Sequence, residues 1–142
     1  MDILKAAGYT VYLSYQRECY TLTQLKLQKV LYLAQGWSYV WDNHPLFPDE
    51  FEAWPYGPVN DKVYHTFKKY GSNEIPFEEA IYIDEPSEEK ETLDAVWDKY
   101  GPYSAGRLVE LTHHQRPWFE TYNNGFKTIS NEAIKDYFQS TY

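Results

Sequence analysis

Cysteine is almost absent from this chain: Cys19 is the single one in 142 residues. No intramolecular disulfide can form, and without a CxxC pair or a Cys/His cluster no structural zinc site is encoded, so a reducing cytoplasm is the expected compartment. Long apolar runs are missing too, and nothing approaches the roughly 20 residues that a membrane-spanning helix needs. The opening stretch MDILKAAGYTVYLSYQRECY lacks the basic start, apolar centre and small-residue cleavage site of a secretory signal. Positive charge is scarce: 13 Lys and Arg face 21 Asp and Glu, for a net charge of −8. Neither direct nucleic-acid binding nor a membrane partner is expected of such a chain.

The signatures of catalysis are equally thin. No GxSxG elbow or local cysteine-hydrolase signature accompanies a nucleophile, and Cys19 reads as a small buried apolar residue. The adjacent histidines His113 and His114 cannot ligate from one helical face, because helical neighbours point about 100° apart. They read instead as a helix end, where histidine bonds the last free carbonyls. Gly57, Gly71, Gly101 and Gly125 sit at turns and helix ends and make no phosphate cradle. The expectation is a protein without catalytic residues, cofactor or metal.

What the sequence has in quantity is helix. Residues 2 to about 17 carry Ile3, Leu4, Ala7 and Val11 at helical spacing. A second helix starts at a capping box of Thr21 and Gln24, stapled by Tyr20 and Leu25, with Thr23 as the alternative cap. Its apolar face runs through Leu27, Val30, Leu31, Ala34, Trp37 and Trp41, which makes it the expected central helix. After a proline-broken loop, Phe51–Trp54 alternates like a short strand, Pro55-Tyr56-Gly57-Pro58 demands a turn, and Pro58 opens a third helix bearing Val59, Val63 and Phe67. Residues 72–86 read as a loop with a short edge strand at Ala80–Asp84. Ser87, Ser104 and Ser130 cap three further helices, and Pro117 to Gly125 reads as irregular. The fold class is mainly α: one compact domain, residues 1–142, of about six helices with one or two short β-strands.

Two compositional features bear on function. There are 15 Tyr, 7 Phe and 5 Trp, residues that fill cores near a surface and also anchor protein interfaces. The acidity is concentrated: from Glu74 to Asp98 there are ten carboxylates and one Lys, while the remainder holds 12 basic against 11 acidic residues. The first turn of the helix after Ser87 absorbs part of that excess, since a helix N-terminus favours carboxylates. What remains, around Glu74 to Glu85, is a candidate for electrostatic contact with a basic partner.

The stretch LKLQKVLYLAQGW (25–37), then PLF (45–47) and FEAWPYGPV (51–59), resembles the Panacea domain family of SocA-like antitoxins, also met in phage-associated proteins. LVELTH (108–113), Pro117-Trp118, ISNEAI (129–134) and Tyr137-Phe138 continue the match in order over about residues 21–138. Val30 and Leu33 are mild apolar departures from the family's usual helix. The resemblance implies a non-catalytic antitoxin of a toxin–antitoxin system, binding a cognate toxin encoded by the adjacent gene. Family members pair with toxins of unrelated folds, so the toxin is not identified by it. Delivery of the toxin to a ClpXP-type protease is the alternative.

The residues singled out for partner contact are Trp54, Tyr56, Gly57, Pro58 and Val59, together with His113 and Trp118. Pro55, Gly57 and Pro58 make a rigid corner whose two flanking rings can divide between core and surface, and a prearranged corner loses little entropy on binding. The same motif is a turn between core elements that folding needs whatever the partner is. His113 and Trp118 read as a helix end with a covering ring.

Overall fold

A computed structural model describes residues 1–16 and 20–142. Cys19 and the expected end of the first helix at residue 17 lie outside the described residues. Among those described there are seven α-helices, one more than the sequence predicts, and a sheet of three short strands. The helices are α1 (Ile3–Gln16), α2 (Gln24–Asp42), α3 (Asp61–Phe67), α4 (Glu88–Tyr100), α5 (Ala105–His113), α6 (Arg116–Asn123) and α7 (Asn131–Thr141). The strands are β1 (Phe51–Trp54), β2 (Gly57–Val59) and β3 (Thr128–Ile129). No helix of the described residues is long and apolar enough to cross a membrane.

α2 is the axis of the core. Nearly every side chain from Lys26 to Tyr39 is buried, and α4, α5 and α7 pack around it. It is capped by Thr23, whose hydroxyl accepts from the Lys26 amide at 3.4 Å, so Thr23 and not Thr21 is the cap. The staple moves with it: Leu22 and Leu27, both fully buried, occupy the two staple positions, while Leu25 stays 38% exposed. Trp41 lies off the core face at 46% exposure and stacks on Trp37 at 4.8 Å. Ser87, Ser104 and Ser130 cap α4, α5 and α7, each accepting from the amide three residues on.

The sheet runs β2-β1-β3, antiparallel throughout, with Trp54 opposite Gly57 and Phe51 opposite Ile129. Three features correct the sequence reading. Pro58 lies in β2 and does not open α3, which begins at Asp61 with the Asn60 side chain as cap. Proline is tolerated there because β2 is an edge strand. Residues 80–84 form no strand; the Phe77–Glu79 turn of 3₁₀ helix precedes them and the Ile81 amide bonds the Gly8 carbonyl of α1 instead. Pro117 does not break structure but sits in the first turn of α6, where its missing amide hydrogen costs nothing.

Candidate functional site

The polar side chains of α2 point inward and bind the backbone of loops. Lys26 Nζ donates to the Gly101 carbonyl at 2.6 Å, and Lys29 Nζ to the Pro58 carbonyl at 3.1 Å. Gln28 grips Asn60 from both sides, accepting from its amide at 2.8 Å and donating to its carbonyl at 3.2 Å. Gln35 accepts from the Leu46 and Phe47 amides and donates to the Phe47 carbonyl, all at 2.9 Å. Burial penalises the charged ammonium, and it lowers Lys29 to about 7 and Lys26 to about 8. The lysines of the α2 motif are therefore interior struts, not a basic surface.

Lys29 and Gln28 hold the β1–β2 hairpin. At its tip Gly57 takes φ +110°, and a Cβ there would meet Lys29 Cε at 2.8 Å and Thr112 Oγ1 at 3.0 Å. Only glycine satisfies both the backbone angle and the close approach. Trp54 is half-buried against Tyr64, with ring centroids 4.8 Å apart, and its indole donates to Glu52 at 2.8 Å. Tyr56 points away from the body and is 70% exposed. Pro58 and Val59, in the β2 arm of the hairpin, are buried.

α5 and α6 bring up the remaining two residues. The Trp118 indole donates to the Trp54 carbonyl at 2.8 Å, so α6 is tied to the end of β1. His113 stacks on Trp118 at 4.0 Å and 14°, and Tyr122 also stacks on Trp118, at 4.8 Å and 16°. Burial pushes His113 below its usual pKa, opposed by the Pro55 carbonyl and reinforced by the charge of Lys29. His114 bonds the Glu110 carbonyl at 2.8 Å and so closes the helix end.

All seven singled-out residues thus lie in one neighbourhood, but they divide in kind. Gly57, Pro58, Val59 and Trp118 are buried and shape the corner, while Trp54, Tyr56 and His113 retain accessible surface. Beside the hairpin runs a groove of about 370 Å³, lined chiefly by Leu25, Gln28, Trp54, Tyr56, Val59 and Tyr64. Sequence reasoning missed Leu25, Tyr64 and Tyr122 as members of this face. The i, i+4 spacing of Trp118 and Tyr122 is a readable signal once α6 is recognised as a helix. The face is rigid, aromatic and poor in charge, which suits burial of an apolar side chain from another protein.

A second group of polar side chains lies elsewhere. Among the described residues Asp42, His44 and Glu88 bring one ligand atom each within 4.8 Å, with His44 and Glu88 exposed. His44 Nε2 lies 3.5 Å from Glu88 and its pKa is raised, first by the Pro45 carbonyl and then by Glu88. The geometry is that of a surface ion pair between the end of α2 and the start of α4.

The family model for "Antitoxin SocA-like, Panacea domain" matches residues 27–119, which hold most of α2, the hairpin and the His113–Trp118 stack. Antitoxin SocA of Caulobacter vibrioides (strain NA1000 / CB15N) is 30% identical over 136 residues, covering 83% of this chain and 72% of that protein. No solved structure matches the chain. With most of the motif helix, the whole hairpin and the His113–Trp118 pair inside the matched span, the chain belongs to the SocA-like, Panacea-domain antitoxin family.

Proposed function

We propose that this chain neutralises a cognate protein toxin, encoded by the adjacent gene, by direct binding in the cytoplasm and without catalysis, and that the hairpin face makes the contact. The observation that carries the reading is Tyr56: a large ring, 70% exposed, at the tip of a hairpin fixed by buried bonds from α2 and bordered by the aromatic-lined groove. Such a ring is presented at small entropic cost, and aromatic anchors of this kind carry a disproportionate share of binding energy. Burial of the groove's apolar lining by a toxin side chain supplies the remainder.

Co-expression with the neighbouring gene product tests the reading. Growth is expected to be rescued and a stable complex recovered, and Tyr56→Ala or Leu25→Glu is expected to weaken that complex by about tenfold or more while leaving the fold intact. A toxin that stays lethal beside the folded protein overturns the proposal. Protection that vanishes in cells lacking ClpXP, with toxin half-life restored there, replaces sequestration by proteolytic delivery.

A further inference from the structure

A second surface with a different chemistry lies where residues 75–84 cross α1. Phe77, Ile81 and Tyr82 are 52%, 41% and 60% exposed. Large apolar side chains grouped in this way on a protein surface mark interaction sites more often than chance exposure. The segment has almost no regular secondary structure, yet it is firmly held. Ile75 and Ile83 are buried at its two ends. The Ile75 amide bonds the Leu22 carbonyl at 2.9 Å, the Tyr15 hydroxyl bonds the Ile75 carbonyl at 2.7 Å, and the Ile81 amide bonds the Gly8 carbonyl at 2.9 Å. Phe77 packs edge-on against Tyr15 at 5.4 Å and Tyr82 lies 5.1 Å from Tyr12. The exposed rings are thus braced from beneath.

Along the segment itself the charge has one sign. From Glu74 to Glu89 the chain carries seven carboxylates and no Lys, Arg or His. Glu79 is engaged by the Tyr70 hydroxyl and by Lys69, and Asp84 accepts from the Tyr82 hydroxyl at 3.3 Å, but Glu74, Glu78, Asp84 and Glu85 are all exposed beside the rings in sequence. Glu74 and Glu78 lie close enough to Tyr15 to reinforce the rise in its pKa that burial produces first.

We propose that Phe77, Ile81 and Tyr82, bordered by Glu74, Glu78, Asp84 and Glu85, form a docking surface for a basic segment of a partner protein in which arginine or lysine is interspersed with apolar side chains. A guanidinium or ammonium can lie over an exposed ring and reach a bordering carboxylate, while apolar neighbours cover Phe77 and Ile81. The acidic border repels phosphate, which disfavours nucleic acid and anionic lipid. It also disfavours a second copy, since two-fold pairing would set the same carboxylates against one another. None of these residues belongs to the hairpin face, and the inference does not depend on the neutralisation reading.

The probe is a fluorescein-labelled peptide alternating arginine and leucine, with glutamate–leucine and arginine–glycine peptides as controls, followed by anisotropy against the full chain. The arginine–leucine peptide is expected to bind saturably, the arginine–glycine peptide more weakly and the glutamate–leucine peptide not at all, with affinity falling several-fold as salt is raised. Phe77→Ala/Tyr82→Ala and, separately, Glu78→Lys should each weaken binding by about tenfold, whereas Tyr56→Ala should leave it unchanged. Circular dichroism confirms that the variants fold, and Glu78→Lys keeps the test intact if the double variant does not. Equal binding of the three peptides, indifference to the surface variants, or loss through Tyr56→Ala overturns the proposal. Self-association that disappears in Phe77→Ala/Tyr82→Ala assigns the surface to a second copy and overturns it as well.

Discussion

The hairpin at 51–59 and the segment at 75–84 both display exposed aromatic rings, but they are held by different means. β1 is paired to β3 through backbone bonds, whereas the corner of the hairpin hangs from buried side chains: Lys29 on Pro58, Gln28 on Asn60 and Trp118 on Trp54. The segment hangs largely from backbone hydrogen bonds to Leu22 and Gly8 and from two buried isoleucines. A backbone bond survives most substitutions, whereas a buried side-chain strut can be removed by one. The hairpin's shape is therefore the fragile property, sensitive to point changes and to pH, and the segment's shape the robust one.

The largest test of that contrast is the pH dependence carried by Lys29. Its folded pKa, about 7, lies far below the ordinary lysine value of about 10.4. Between those two values the unfolded chain binds more protons than the folded one, so stability rises with pH across that window. Below pH 7 both states are protonated and the slope vanishes. Denaturation midpoints are expected to climb from pH 7 towards 10, by up to about 4 kcal/mol of unfolding free energy. Lys26, lowered to about 8, adds in the same direction, so Lys29→Met should flatten the curve without levelling it. A wild-type profile already flat over this range would mean that the Lys29 ammonium is not excluded from water.

Next in size are the bonds to the hairpin itself. Gln28→Leu leaves the buried Asn60 amide without its partner and takes one of two bonds from the Asn60 carbonyl, which still accepts from the Tyr64 amide, and should cost about 2 kcal/mol by urea denaturation. A loss below about 1 kcal/mol would show that water or another group replaces the amide. Gly57→Ala forces a Cβ into Lys29 Cε at an unfavourable φ and should cost about 2 kcal/mol. It should also weaken capture of the toxin more than Gly8→Ala does, because it displaces Tyr56.

The same contrast explains how far the sequence could be read. Caps and apolar periodicity are local, so α1, α2, α4, α5 and α7 were visible, and Ser87, Ser104 and Ser130 were found at their caps. The motif EAWPYGPV marked the hairpin corner, but Pro58 was assigned to a helix because its neighbours in sequence say nothing about pairing with β1. In sequence Pro117 marks an irregular stretch, whereas its place in a first turn makes it a helix starter. The deepest omission concerned Lys26, Gln28 and Lys29. A periodicity argument places polar letters in water, whereas their partners are backbone groups 75, 32 and 29 residues away. Leu25 and Tyr64 escaped for the related reason that only tertiary packing brings them to the groove, and Tyr122 because its spacing to Trp118 has meaning only once α6 is a helix.

The smallest expected effect is the most discriminating for the segment. Gly8 lies within α1, and a Cβ there would meet the Ile81 side chain at 2.5 Å. Ile81 is 41% exposed, so its Cγ1 and Cδ1 can turn toward solvent, but its Cβ, 2.9 Å from the added carbon, yields only through a small shift of the segment. Alanine also gains about 1 kcal/mol of helix propensity over glycine. The two effects oppose, and Gly8→Ala is expected to leave the unfolding free energy within about 1 kcal/mol of wild type. Binding of the arginine–leucine peptide should nevertheless fall, because Ile81 and its neighbour Tyr82 are lifted from their places over α1. Unchanged stability with weakened peptide binding would separate the position of the segment from the integrity of the fold. A large loss of stability would instead place the segment among the elements that the core cannot do without, and the contrast with the hairpin would fail.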